Sequence, residues 1–285
     1  HIPLAQKLNA AMFGLEHRFF GESQPFGDLE LEHLKYLTID QAMADLSKFI
    51  SDVILKHQNA AKNTKIRIGV IGGSYPGALS SWFRLKYPQF AFASWASSAP
   101  IFIKNDFTEY DEHVAGELAA VSDKCLANTK SVLEQVAKKA FEDTEKLRKD
   151  FGFLDDEQPN DMVYCVTDIL AAMIQYNSIL KLLTQHCELQ SKGPNYEGLV
   201  SIINQTCNRL GQPISSSNLR LQTNTSVHSP FASGRSWSYM TCNEVGWFQT
   251  ASGKLRPSLL DLSYFEGICK DLFGFESLAD ENEKN

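Results

Sequence analysis

Apolar positions along this chain follow two rhythms. Ile66, Ile68, Val70 and Ile71 crowd into six positions, the density of a buried strand. Gly72 and Gly73 break that run and Ser74 follows. Apolar residues then recur at Ala78, Leu79, Trp82 and Phe83, the stripe of an amphipathic helix. Pro88 stops the helix, and Phe90–Ala96 reads as a second buried strand closed by Ser97-Ser98-Ala99-Pro100. Upstream, Thr38-Ile39-Asp40-Gln41 is a capping box. It opens a helix with Ala42, Leu46, Phe49, Ile50, Val53 and Ile54 on one face, ended by the polar stretch from His57 to Lys65. Strand, helix, strand with short connections predicts a right-handed parallel crossover, so this part of the chain is α/β. Residues 8–15 predict the tail of a strand or helix. Glu16 to Ser23 predicts a polar and aromatic loop of the kind that lines sites at strand ends, with Glu16 and Arg18 paired and His17 in a structural or pocket-wall role.

The rhythm changes near Asp106. Val132, Val136 and Ala140 form a helical stripe within a lysine- and glutamate-rich segment. Val163, Val166, Ile169, Leu170, Met173, Ile174 and Leu180 form another. Residues 212–235, rich in Ser, Asn, Pro and Gly, predict a loop. Asp280 to Asn285 predicts a frayed polar end. The division is therefore 1–105, an α/β part; 106–235, a helical insert; and 236–285, the end of the insert and a return toward the α/β part.

Composition narrows the function classes. The net charge is −7, with no basic cluster, which argues against a nucleic-acid surface. No run of 18 apolar residues could span a membrane. The chain opens on His1-Ile2-Pro3-Leu4 with neither an initiator Met nor an apolar leader, and so reads as an internal piece of a longer protein. All six cysteines follow residue 120 and none forms C-x-x-C. That spacing predicts no metal site, and the even count suggests disulfides and a secretory or lysosomal route. Sequons at Asn204 and Asn224 agree with that route as glycosylation candidates. A cytosolic protein with buried free thiols is the bland alternative.

The chemistry sits at Ser74. Strand, tight glycine turn, serine and helix is the layout of a nucleophile elbow. The turn holds the hydroxyl clear of the sheet, above a helix N-terminus whose dipole favours the negative charge of acyl transfer. The N–H of Tyr75 is the expected first oxyanion donor. The pattern departs from G-x-S-x-G: Pro76 occupies the usual glycine place and Gly77 follows. Proline is tolerated in a first helical turn.

Several blocks in order carry a resemblance: Leu15-Glu-His-Arg-Phe-Phe-Gly, Leu34-Lys-Tyr-Leu-Thr, Gln41-Ala-Met-Ala-Asp, Gly72-Gly-Ser-Tyr-Pro-Gly, Trp82-Phe-Arg-Leu-Lys-Tyr-Pro and Ala96-Ser-Ser-Ala-Pro. The chain resembles the serine peptidase family of lysosomal prolyl carboxypeptidase and dipeptidyl peptidase II. Tyr239-Met-Thr-Cys-Asn-Glu-Val-Gly-Trp and Cys269-Lys-Asp-Leu-Phe-Gly look most like its thymus-specific serine protease branch. The resemblance implies a partial α/β-hydrolase parallel sheet with a helical, disulfide-bonded cap insert. It implies Ser74 as nucleophile, the Tyr75 N–H as oxyanion donor, and a Cys242–Cys269 disulfide. The remaining cysteines are assigned to Cys125–Cys187 and Cys165–Cys207. The family's triad acid, in an Asn-Gly-x-x-Asp-Pro-Trp block, and its later histidine are absent from these 285 residues. Of the histidines after Ser74, His113, His186 and His228 read as surface or cap residues.

The resemblance implies a secreted or lysosomal serine exopeptidase that needs no cofactor. Its substrate would be a peptide with proline beside the scissile bond, and it could act as a homodimer. This chain alone would lack useful activity. The rivals are an esterase or lipase on the same elbow, and a catalytically dead binding protein.

Overall fold

The computed structural model describes residues 2–57 and 66–278. The expected helix-ending stretch beyond His57 and the expected frayed tail from Asp280 lie outside the described residues. The chain divides into two compact units, His1–Phe102 and Ile103–Asn285.

The first unit runs α1 (Ile2–Lys7), α2 (Leu31–Leu34), α3 (Ile39–His57), β1 (Gly69–Gly73), α4 (Tyr75–Lys86) and β2 (Ala93–Ser97). Half of the capping box forms: the Thr38 hydroxyl accepts from the Gln41 N–H at 3.2 Å, while the Gln41 side chain accepts from Arg18 rather than reaching back to the Thr38 N–H. β1 and β2 pair in parallel, from Gly69 opposite Ala93 to Gly73 opposite Ser97. Phe19, Leu29, Leu34, Leu37, Ala78, Phe83 and Ala91 form a fully buried core.

Four expectations are corrected here. β1 starts at Gly69 rather than Ile66, and it contains Gly72 and Gly73 instead of ending at them. The two glycines keep strand pairing to Ala96 and Ser97, and at Gly72 the first turn of the following helix approaches too closely for a side chain. Neither strand is a buried run: Ile71 is 51% and Trp95 49% exposed, against 7% for Val70. Residues 10–17 form no regular element; Met12, Phe13 and Leu15 stay half exposed, so no buried face imposes a period on the backbone. Arg18 pairs with Asp45 of α3, through bonds of 2.6 and 2.7 Å, and not with Glu16. Glu16 instead accepts the Ser23 N–H at 2.8 Å.

The second unit is mostly helical. It comprises α5 (Thr108–Val121), α6 (Asp123–Glu142), α7 (Thr144–Phe151), α8 (Pro159–Gln175), α9 (Asn177–Leu180), α10 (Leu183–Leu189), α11 (Tyr196–Leu210), α12 (Ala232–Met240) and α13 (Leu262–Phe273). Two short strands, β3 (Lys104–Asp106) and β4 (Gly246–Phe248), pair in parallel. Helix α8 lies at the centre, packed against α5, α6 and α11. Its expected stripe from Val163 to Ile174 is buried, as are Val132, Val136 and Ala140 of α6. The expected loop after residue 212 contains two 3-10 turns, Ile214–Ser217 and Leu219–Leu221.

Three buried carboxylates tie distant parts of this unit together. Asp111 accepts from the Ser252 N–H and hydroxyl and from the N–H groups of Leu255 and Arg256, at 2.6 to 3.3 Å. Glu157 accepts from the Leu154 N–H at 2.8 Å, the Asn218 amide at 2.7 Å and the Ser215 hydroxyl. Asp161 accepts from Arg220 at 3.1 Å and from the Tyr264 hydroxyl at 3.0 Å. A buried charge is tolerable only when its lone pairs are met in this way.

Disulfides join Cys125 to Cys187 and Cys242 to Cys269. The first closes a separation of 62 residues, worth roughly 4 kcal/mol of lost unfolded-chain entropy. The Cys165–Cys207 bond is not formed; both thiols are free and buried. Cys165 is wholly enclosed within α8's packing, whereas Cys207 borders a hollow of about 540 Å³ lined also by Phe151, Asn204, Asn208 and Ile214. Burial pushes the Cys165 thiol well above its ordinary range.

Candidate active site at the β1–α4 junction

Ser74 stands between β1 and α4 with φ 58° and ψ −131°. An L-residue rarely adopts such a backbone, and holding it costs about 1–3 kcal/mol, a strain that recurs at functional sites. The surroundings over-determine it. The Ser74 N–H donates to the Ser97 carbonyl at 2.9 Å, so the residue still belongs to the sheet's pairing. Its carbonyl accepts from Gly77 at 2.9 Å and Ala78 at 3.1 Å, so it also begins the helix. One residue thus ends a strand and caps a helix, and only a sharp turn permits both.

Glycines supply the clearance. A Cβ on Gly72 would lie 2.0 Å from the Pro76 carbonyl oxygen and 2.6 Å from the Gly77 nitrogen. A Cβ on Gly77 would meet the Gly72 and Ser97 carbonyl oxygens and the Ala99 methyl at 3.0 Å each. Gly73 is different, because its nearest neighbour would be the Ser97 oxygen at an ordinary 3.9 Å. The close packing demanded of the common elbow is met here by residues two before and three after the serine. Pro76, in the first turn of α4, occupies the place where a second glycine is more usual.

Ser74 is exposed, and among the described residues no side chain hydrogen-bonds its hydroxyl. Tyr75 opens α4 and is buried. The N–H groups of a helix's first turn point out of its end and are not used by the helix's own carbonyls, so the Tyr75 N–H and the helix dipole act on the side where Ser74 sits.

The Tyr75 side chain has a partner that sequence reasoning did not foresee. Its hydroxyl lies 2.9 Å from His17 Nε2, and the two ring centroids are 5.6 Å apart. His17 Nδ1 lies 2.8 Å from the Arg18 carbonyl oxygen, and Phe20 stands edge-on to the imidazole. Burial, reinforced by the nearby Arg18 charge, lowers the His17 pKa against the raising effect of its backbone hydrogen bond. The dense Glu16-His17-Arg18 block was a visible signal for this position; the partner 58 residues away was not.

The remaining predicted positions lie elsewhere. His113 is exposed beside Glu117, and His228 is exposed in a loop. His186 is fully buried with Nε2 2.8 Å from the Thr129 hydroxyl, and burial depresses its pKa to about 4. Asn224 is exposed, its side-chain oxygen accepting from the Ser226 N–H at 2.9 Å. Asn204 is half-buried inside α11, and Thr206, two residues on, is fully buried. A hollow of about 270 Å³ in the first unit is lined by Phe26, Glu32, His33, Lys35 and Tyr36 and does not include Ser74.

Comparison with known proteins gives a consistent result. The family model described as serine carboxypeptidase S28 matches residues 1–284. The chain is 31% identical over 96% of its length to a Caenorhabditis elegans protein named as a serine protease. It is 29% identical over 95% of its length to the thymus-specific serine protease of Mus musculus. A shorter stretch, 38% of the chain, is 40% identical to the lysosomal Pro-X carboxypeptidase of Bos taurus and covers 22% of that protein. The chain spans 56% of the length of the nematode relative and 58% of the mouse one.

Proposed function

The chain belongs to the serine carboxypeptidase S28 family, and from that premise we propose that Ser74 is the nucleophile of a serine-type peptidase. The carrying observation is the backbone of Ser74, held at φ 58° between Gly72 and Gly77 at the junction of a strand and a helix. A base takes the Ser74 proton, Oγ attacks the peptide carbonyl, and the Tyr75 N–H faces the oxyanion that forms. The amine leaves, and water then releases the acyl group. On this reading β1–α4–β2 is part of an α/β-hydrolase sheet, and the helices from 106 to 235 form its cap. The segment 236–285 closes the cap and leads back toward the hydrolase part.

The bovine relative's name supports an exopeptidase of the carboxypeptidase kind acting beside proline, in a lysosomal or secreted setting. The two disulfides suit that setting, because such bonds persist in oxidising compartments. Of the two sequons, exposed Asn224 is the better acceptor; Asn204 would have to be modified before α11 packs. No side chain among the described residues bonds the Ser74 hydroxyl, and an unactivated alcohol is a weak nucleophile. The 285-residue chain by itself is therefore read as slow.

The test is labelling with a fluorophosphonate, followed by peptide mapping, in the protein as cells make it. The adduct is expected on Ser74, and Ser74→Ala removes both label and turnover. Labelling of another serine overturns the assignment. A panel of esters against proline-containing peptides separates peptidase from esterase, and no turnover of either favours the dead-binder reading. Labelling of the isolated 285-residue chain as fast as that cell-made protein overturns the slow-chain reading.

A further inference from the structure

We infer that His17 is a positioning residue for the nucleophile, acting through the side chain of Tyr75. The inference rests on the reading of Ser74 given above and adds a residue to its machinery. A backbone carbonyl can only accept, so the 2.8 Å contact with the Arg18 oxygen requires a proton on His17 Nδ1. The neutral ring then has a bare Nε2, and the Tyr75 hydroxyl donates to it across 2.9 Å. Burial favours this neutral ring over the imidazolium. Phe20 at 5.2 Å, edge-on, leaves the imidazole little freedom to turn.

The clamp extends beyond the ring. Arg18, whose carbonyl orients His17, is held by two bonds to Asp45 and by the Tyr36 carbonyl at 2.8 Å, and it also donates to Gln41. Phe19 is fully buried at φ 64°, and its N–H reaches the Ser23 carbonyl at 2.8 Å. His17 is therefore a fixed post. Tyr75 is the first residue of α4 and the immediate neighbour of Ser74. Tethering its phenol restrains rotation about the Tyr75 backbone, and with it the direction of the N–H read as the oxyanion donor. The tether joins His17 Nε2 to the Tyr75 hydroxyl and steers a backbone N–H, so it acts on the charged transition state more than on substrate binding.

The experiment measures the rate of fluorophosphonate reaction at Ser74, with kcat and KM for a peptide substrate, in the protein as cells make it. Variants are His17→Leu, His17→Gln, Tyr75→Phe and the double variant His17→Leu/Tyr75→Phe. Tyr75→Phe keeps the ring and removes the hydroxyl that forms the tether. A net neutral hydrogen bond corresponds to roughly a tenfold fall in phosphonylation rate and kcat for Tyr75→Phe and His17→Leu, with KM little changed. The double variant is expected to fall no further than either single one, because one interaction has been removed twice. His17→Gln, which keeps an acceptor near the Nε2 position, is expected to recover part of the loss. Wild-type rates in Tyr75→Phe, or additive losses in the double variant, overturn the inference. If Ser74→Ala still labels, the reading of the nucleophile fails; if it does not label while Tyr75→Phe labels normally, only the role of His17 fails. Should His17→Leu not fold, Tyr75→Phe and His17→Gln carry the test.

Discussion

Strand β1 leaves Ile71 half exposed, whereas helix α8 hides Met162, Val166, Ile169 and Met173 almost completely. The two units hold their geometry by different means. The first has few fully buried large side chains, and its serine is shaped by backbone clearances: two glycines, a carbonyl pairing and a phenol tether. The second has a deep helical core, buried carboxylates with matched donors, and two disulfides. The difference teaches where each is vulnerable. A few atoms next to Ser74 should control reactivity, while burial electrostatics and packing should control the stability of the second unit.

The largest expected effect breaks the first unit at one carbon atom. Gly72→Ala sets a methyl 2.0 Å from the Pro76 carbonyl oxygen, and a backbone carbonyl cannot turn aside as a side chain can. The cost is roughly 4 kcal/mol, above the usual overpacking range, and Ser74 labelling is lost. Gly73→Ala, one residue nearer the serine, meets nothing closer than 3.9 Å and should melt and label like the wild type. Equal behaviour of the two would show that clearance does not shape this turn.

Much of that first unit was legible in the sequence, because glycine, serine and proline speak through local sterics. The serine, the helix after it and the Thr38 cap all follow from neighbours a few residues away. The end of β1 did not, since Gly72 and Gly73 are kept in the strand by pairing with Ala96 and Ser97, which no local pattern encodes. The ties of Asp111 to Ser252 and of Glu157 to Ser215 span 141 and 58 residues and left no periodic trace. Arg18 met the same limit, with its partner Asp45 on another element. Cysteine counting suggested three bonds, but whether two thiols meet depends on packing, and Cys165 and Cys207 remain apart as thiols.

The next effect probes the second unit by pH. His186 is fully buried with its pKa lowered by desolvation from 6.5 to about 4. The unfolded chain takes up a proton on this ring below about pH 6.5 and the folded one does not until about pH 4, so stability is lost as pH falls through that window. The loss is on the order of 3 kcal/mol. Asp161 and Asp168, whose carboxyls burial pushes upward, oppose the trend. The measurement is therefore the difference in unfolding free energy between wild type and His186→Gln from pH 7 to pH 4. The wild type should lose ground on the variant across that window; parallel curves would mean that the ring titrates normally.

The smallest effect separates the units most cleanly, because it makes the same chemical change in each. Thr38 caps α3 by accepting from Gln41 at 3.2 Å, and Ser122 caps α6 by accepting from Cys125 at 3.0 Å. Removing either hydroxyl with alanine costs about 1 kcal/mol of stability. The caps differ in what hangs from them. The first two turns of α3 carry Gln41 and Asp45, the residues that hold Arg18 and so the contact of its carbonyl with His17. The first turn of α6 carries Cys125, already fixed by its disulfide to Cys187. Fraying α3 should therefore loosen the post behind Tyr75 and slow Ser74 labelling, by roughly twofold given how partial the loss of one cap is. Fraying α6 should leave labelling unchanged at the same loss of melting temperature. If Ser122→Ala slows labelling as much as Thr38→Ala does, reactivity follows overall stability, and the division of labour between the units falls.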